Sequence, residues 1–193
     1  MADDGIVLSD THFGHRKVAE LRGFDSTNEH DLAIVRNINK MVTRPDMDVF
    51  LLGDTIMGNR EHGMEMLALI QGRVHIILGN HDREHPLNPN GHNHQTLGSV
   101  AYSVSMAGKV ASKKGVKVLM SHFPYEGDHT NEDRFDQWRL RDMGVPLLHG
   151  HTHGKEQVTF TSKGTMQIHV GLDAWDLCPI RLSQVFRIIA DHK

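Results

Sequence analysis

Histidine accounts for 16 of the 193 residues, and many of these histidines stand with an aspartate or asparagine just after a short apolar run. Asp10 and His12 follow Ile6-Val7-Leu8. Asp54 follows Val49 to Leu52 through Gly53, and Asn80 and His81 follow Val74 to Leu78 through Gly79. His122 comes after Val116 to Met120, and His151 and His153 come after Val145 to Leu148. Carboxylate, amide oxygen and imidazole are the donors that suit manganese, iron, zinc or cobalt. Cys178 is the only cysteine, which excludes a thiolate metal cluster and an internal disulfide. Its expected place is that of a small buried or half-buried apolar residue.

Delivering these residues to one cleft requires that the apolar runs be neighbouring strands. Their length and β-branched content read as buried strands. Between the first two, residues 28–43 carry Leu32, Val35, Ile38 and Val42 on one helical face, with Ser26 and Glu29 as a capping box. Residues 60–71 repeat the design with Met64, Leu67 and Ile70. Strand and helix alternating in this way predict a parallel or mixed sheet. In such sheets ligands bind beyond the carboxyl ends of the strands, where every polar cluster above falls. Residues 83–98, with Pro86, Pro89 and Asn90-Gly91, predict an irregular loop. From Ser99 onward the spacing shortens, and Gly108, Lys114-Gly115 and Lys163-Gly164 predict turns between hairpin strands. Residues 183–191 predict a final helix. No repeat or linker interrupts the chain, so residues 1–193 are expected to form a single domain.

Taken in order, Asp-x-His, Gly-Asp, Gly-Asn-His-Asp, His and Gly-His-x-His run from Asp10 to His153. This series resembles the signature of the calcineurin-like metallophosphoesterase superfamily. The stretches from Asp10 to His15 and from Val170 to Trp175, with Pro179, are similar to the shorter bacterial and phage-encoded members. The resemblance implies an α/β fold of two mixed sheets packed as a sandwich and flanked by helices. It also implies a binuclear metal centre, with Asp10, His12, Asp54 and His153 on one ion and Asp54, Asn80, His122 and His151 on the other. Manganese is the favoured metal, with iron, zinc, cobalt or magnesium as alternatives.

Physical reasoning agrees with that implied site. Two cations roughly 3.5 to 4 Å apart repel unless an anion lies between them, and Asp54 is the central candidate. Coordination lowers the pKa of water from 15.7 to about 7, so a metal-bridging hydroxide can attack phosphorus without a protein nucleophile. The resemblance places His81 over the phosphate, where it would stabilise developing charge or protonate the leaving oxygen. Asp82 either orients His81 or is an ordinary surface carboxylate. His15 either lines the mouth of the cleft or is uninvolved. Arg134 and Trp138 either contact substrate and offer a stacking face, or belong to a helix that packs Trp138 into the core. His149 is expected to point away from the cleft, and His92 and His94 to be solvated. His30, His62, His75, His129, His169 and His192 are read as structural or surface residues.

With 21 Lys plus Arg against 24 Asp plus Glu the formal charge is -3, so no stable nucleic-acid partner is expected. No apolar run nears the roughly 20 residues that span a bilayer, and the acidic Met1-Ala2-Asp3-Asp4 is unlike a basic signal peptide. No membrane association and a cytoplasmic location are therefore expected. Phosphatases of the superfamily place an arginine soon after the Gly-Asp motif, in a Gly-Asp-x-Val-Asp-Arg-Gly run. Here Gly53-Asp54 precedes Thr55-Ile56-Met57-Gly58-Asn59. A monoester dianion loses its bidentate clamp, whereas a diester monoanion needs less help. The expected substrate is a small phosphodiester, a cyclic nucleotide above all, with the 2′,3′ form ahead of the 3′,5′ form because its strained ring opens more readily. A nuclease, a phosphomonoesterase and a non-catalytic metal-binding scaffold are the competing readings.

Overall fold

The structure is a computed structural model, and it describes residues 4–89 and 95–192. Among the described residues, ten strands form two five-stranded mixed sheets. The first holds β1 (Ile6–Leu8), β2 (Asp48–Leu52), β3 (Arg73–Ile77), β4 (Ser103–Ser105) and β10 (Ile180–Arg181), in the order β10-β1-β2-β3-β4. β1 to β4 are parallel and β10 closes the edge antiparallel to β1. The second holds β5 (Gly108–Ala111), β6 (Lys117–Met120), β7 (Leu147–His149), β8 (Val158–Phe160) and β9 (Met166–His169), in the order β5-β6-β7-β9-β8. Its centre, β6-β7-β9, is parallel, and its edges pair antiparallel.

Strand periodicity explains why both faces of the first sheet are apolar. Ile6, Leu8, Val49, Leu51, Val74 and Ile76 point to one face, while Val7, Leu52 and Ile77, one residue out of phase, point to the other. The first face is covered by α2 (Thr27–Met41), through Ile34, Val35 and Ile38, and by α3 (Arg60–Ala68), through Met66 and Leu67. The second face meets Val118, Met120, Leu148 and Ile168 of the other sheet. This inter-sheet core is extended by Leu182, Val185 and Ile189 of α5 (Leu182–Asp191), the expected final helix. The flanked two-sheet sandwich is thus the architecture that the motifs implied. Among the described residues no helix is long and apolar enough to cross a membrane.

Local signals hold as well. The Ser26 side chain accepts the Glu29 N–H at 3.1 Å and starts α2. α1 (Arg16–Leu21) begins at His15, whose Nδ1 accepts the Val18 N–H. Within the predicted 83–98 loop, α4 (Gln95–Gly98) adds one helical turn, and His92 and His94 lie outside the described residues.

Two expectations need correction. Gly108 is not a hairpin turn: β4 pairs parallel with β3, Met106-Ala107 carries the chain across to the other sheet, and Gly108 opens β5 there. A hydrophobic pattern marks strands but not which sheet they join. Cys178 is exposed, because it lies on a surface loop after Asp176 and Leu177, both with positive φ, and before β10.

Candidate metal centre

The motif residues gather where the carboxyl ends of both sheets meet. Hydrogen bonds between loops hold them there. Asp10 N–H donates to Gly53 O at 3.1 Å, His12 N–H to Asp54 O at 2.9 Å and Phe13 N–H to Thr55 O at 2.9 Å, which zips the loop after β1 to that after β2. Gly150 N–H donates to His122 O at 2.9 Å, and His151 N–H reaches the Asp10 carboxylate at 3.2 Å, which joins the second sheet to the first.

The backbone here is unusual in a consistent way. Asp10, His12, Asp54, His151 and His153 all have positive φ, between 49 and 69°. These five are among only eight non-glycine residues with positive φ in the described chain. Such conformations cost on the order of 1 kcal/mol or more each and persist where surrounding structure enforces them, commonly at functional sites. Asp and His tolerate them better than bulkier residues, which fits their appearance here.

Two groupings of donor atoms result. In the first, Nε2 of His12 and Nε2 of His153 face each other at 3.2 Å, and Oδ1 of Asp10 lies 4.0 Å from both. Two imidazole lone pairs and a carboxylate converging on one point suit a divalent cation. In the second, Nε2 of His122 lies 3.1 Å from Oδ1 of Asn80 and 3.5 Å from Oδ1 of Asp54. His122 Nδ1 donates to Leu52 O at 2.8 Å, which turns Nε2 toward this group. Asp10, Asp54 and His122 also come together as a buried trio between the groupings. The ring of His151 is 5.2 Å from that of His122. All seven expected ligands are therefore brought to one place, and they fit divalent metal.

Electrostatics follow from burial. Desolvation would raise the Asp10 carboxyl, but His122, His153 and His12 around it hold it well below the usual range. Desolvation pushes His12 down to about 3, against the pull of Asp54 and Asp10, so its imidazole is neutral and able to ligate. His151 falls to about 4 through burial and the neighbouring His122. Burial would lower His122 too, but Asp54 and Asp10 outweigh it and raise that imidazole. Desolvation likewise opposes the rise of His153, which its hydrogen bond to Asp173 brings about.

His81 is exposed. Its backbone N–H donates to Oδ1 of Asp54 at 2.9 Å, and its ring lies 6.2 Å from that of His12. With Ile56, Met57, Gly58, Arg60 and Arg83 it lines a cavity of about 290 Å³. His15 is 6.0 Å from His12, ring to ring, at the outer side of the group, although its Nδ1 is spent on capping α1.

Asp82 neither orients His81 nor sits at the surface. It is buried, and its two oxygens accept the N–H groups of Thr55 and Gly79, each at 2.8 Å. It thereby pins the Asp54 loop to the Asn80 loop. Desolvation, with the neighbouring Asp54 carboxylate, pushes it up to about 7. Adjacent residues in a tight turn point apart, so sequence neighbours did not become contact neighbours.

Arg134 and Trp138 are not on a regular α-helix. Trp138 ends a 3₁₀ turn, Asp136–Trp138, and stands edge-on to His85 with ring centroids 4.9 Å apart. Arg134 binds Asp128 at 2.9 Å, and Asp128 in turn meets Nε2 of His151 at 3.1 Å. His129, read as structural or surface, lies beside His151 at 5.4 Å. His149 is buried against His169, 5.4 Å ring to ring. Sequence reasoning missed Asp128, and it missed Arg22, which binds Asp173 behind His153. No motif spacing marks either residue.

A larger cavity, about 560 Å³, is lined by Lys117, Pro146, Phe160 and Thr165. These residues lie at the opposite ends of β6 to β9 from the motif residues, away from the candidate metal centre.

Comparison with known proteins adds independent evidence. The calcineurin-like phosphoesterase family profile matches residues 6–155. The gene 66 protein of Mycobacterium phage D29 is 42% identical over 184 residues, covering 89% of both chains. The gene 66 protein of Mycobacterium phage L5 is 40% identical over 180 residues, covering 86% of this chain and 85% of that one. Among solved structures, AQ665 of Aquifex aeolicus, a protein of unknown function, shares the fold with a TM-score of 0.69 at 20% identity, over 95% of this chain and 97% of its own. A profile match across most of the chain, spanning all five motifs that the fold brings together, establishes that the chain belongs to the calcineurin-like phosphoesterases, metal-dependent hydrolases of phosphoester bonds.

Proposed function

We propose that the protein hydrolyses small phosphodiesters, cyclic nucleotides first among them, with two divalent cations. Asp10, His12, Asp54 and His153 hold one, and Asp54, Asn80, His122 and His151 hold the other. Manganese is the favoured metal. Cations bound there lower the pKa of a coordinated water to about 7 and polarise a phosphoryl oxygen. The two donor groupings on either side of Asp54 are the observation that carries this reading.

The chain's own groups then do the rest. Asp54 belongs to both sets and would supply the anion that eases repulsion between two cations, and its Oδ1 also fixes the His81 backbone. The His81 side chain stands free to protonate the leaving oxygen as its bond to phosphorus breaks. Asn80, next to His81, and His15, 6.0 Å ring to ring from His12, would contact the phosphate or its substituents.

Charge in the cavity favours a diester. Arg60 is paired with Glu84, so Arg83 is the uncommitted cation among the described residues that line it. One positive charge matches the monoanion of a diester. Arg134, expected to contact substrate, is committed to Asp128, which weakens the case for a monoester dianion further. At about 290 Å³ the cavity lies near the small end for ligand sites. A strained 2′,3′-cyclic ring is the most reactive diester of that size.

A panel of 2′,3′-cyclic and 3′,5′-cyclic nucleotides, a chromogenic linear diester and a chromogenic monoester, assayed with manganese, tests the proposal. The 2′,3′-cyclic form should turn over fastest. A monoester cleaved much faster than every diester would overturn it.

A further inference from the structure

Two histidines of the candidate metal set lean on carboxylates that lie outside the five metal motifs. Nε2 of His151 is 3.1 Å from Oδ2 of Asp128, and Nδ1 of His153 is 2.9 Å from Oδ2 of Asp173. Arginine grips each carboxylate in turn. Asp173 accepts Nε–H and Nη2–H of Arg22, both at 2.9 Å, and the same Nη2 reaches Asp10 O at 2.9 Å. Asp128 accepts Nη2–H of Arg134 at 2.9 Å, Nη2–H of Arg139 at 3.3 Å and the Arg134 backbone N–H at 3.2 Å. The side chains of Asp128 and Arg139 are 0% and 5% exposed, so this assembly is built into the protein.

A carboxylate held by guanidinium N–H groups is an acceptor on every side. The ring nitrogen facing it must therefore carry hydrogen, and a neutral imidazole has only one N–H. His151 is then the Nε2–H tautomer, with its lone pair on Nδ1. His153 is the Nδ1–H tautomer, with its lone pair on Nε2, which is the atom that faces Nε2 of His12. We propose that Asp128 and Asp173 are positioning residues that impose opposite tautomers on the two histidines of the Gly150-His151-Thr152-His153 turn, so that one presents Nδ1 and the other Nε2 to divalent metal. This rests on the two-cation reading of the site.

Opposite tautomers answer a geometric problem. Both histidines have positive φ, 69 and 51°, and they approach from one short turn toward different donor groups. A competing view makes Asp128, His129 and His151, whose donor atoms lie within 4.8 Å of one another, a separate cation site. Two guanidinium groups already neutralise Asp128 and occupy its lone pairs, which disfavours a cation there.

Long-range ¹H–¹⁵N NMR of the imidazoles in metal-free, full-length protein tests the proposal directly. At alkaline pH, where His153, raised against desolvation by its hydrogen bond to Asp173, has lost its second proton, the expected result is the Nε2–H form for His151 and the Nδ1–H form for His153. Asp128→Asn should alter the His151 signals alone, and Asp173→Asn the His153 signals alone. Each should weaken manganese binding at one site by roughly 10- to 100-fold, read by calorimetric titration. Reversed tautomers in the parent protein, or variants with unmoved tautomers and unchanged affinity, would overturn it. A parent protein that binds no manganese would count against the two-cation reading instead, while the metal-free tautomers would still decide this proposal.

Discussion

Asp54 lies 3.5 Å from His122, holds the His81 backbone and joins Asp10 in the buried trio. On the proposed two-cation reading, Asp54→Ala removes the anion that would let two cations lie close together, so metal analysis of the purified variant should find both lost. His81→Ala should keep its metal and lose turnover by roughly 10²-fold or more, the scale of a positioned acid or charge stabiliser. Unchanged turnover would remove His81 from the mechanism. The seven expected ligands were legible because each stands just past an apolar run, and a strand end is a place that sequence can mark. Asp128 was not, and Asp173 was noticed only as part of the Val170 to Trp175 stretch and not for its role, because each acts by contact with a histidine, 23 and 20 residues away across a loop. Asp82 was misread for a related reason: adjacency to His81 says nothing about where its carboxylate points.

At the scale of elements, the loops after the strands must approach closely for the donors to meet. Gly150 shows how closely. A Cβ there would fall on Ser9 Oγ and crowd Oδ2 of Asp10, and Ser9 is itself fixed to Leu52 O at 2.6 Å. Gly150→Ala should therefore push the His151 loop off Asp10. The expected outcome is an overpacking cost of roughly 1–3 kcal/mol in urea unfolding, together with weaker metal binding by titration. Metal affinity equal to that of the parent would show that the two sheets are not held this tightly at the site. The strands and helices themselves were readable, since out-of-phase apolar residues in β1, β2 and β3 serve two cores. The crossing at Met106-Ala107 was not, because a two-residue link looks the same in sequence whether it turns a hairpin or changes sheets.

For the molecule as a whole, so many buried imidazoles leave a signature in stability. His12 and His149 are lowered to about 3, and His85 and His151 to about 4, in each case chiefly by desolvation. Below the ordinary histidine value the unfolded chain takes up protons that the folded chain refuses, so stability of the metal-free protein should fall as pH drops from about 6.5 toward 4. Asp82, raised to about 7, has the opposite sign over that window, since its folded form holds the proton. It is one group against these four, and the lowered His15 and His169 act in the same direction as the four. The raised His122 and His153 act above about pH 6.5, where they favour the lower pH. Urea midpoints of metal-free protein should thus be lower at pH 4.5 than at pH 6.5, and the reverse order would mean that these imidazoles are solvated. The central claim, that the donors around Asp54 form a two-cation hydrolytic centre, is tested most directly by adding manganese stepwise to metal-stripped protein while following hydrolysis of a chromogenic phosphodiester. Two ions per chain should bind, with hydrolysis rising only as the second site fills; full hydrolysis in the presence of a chelator, or saturation with manganese and no hydrolysis, would contradict it.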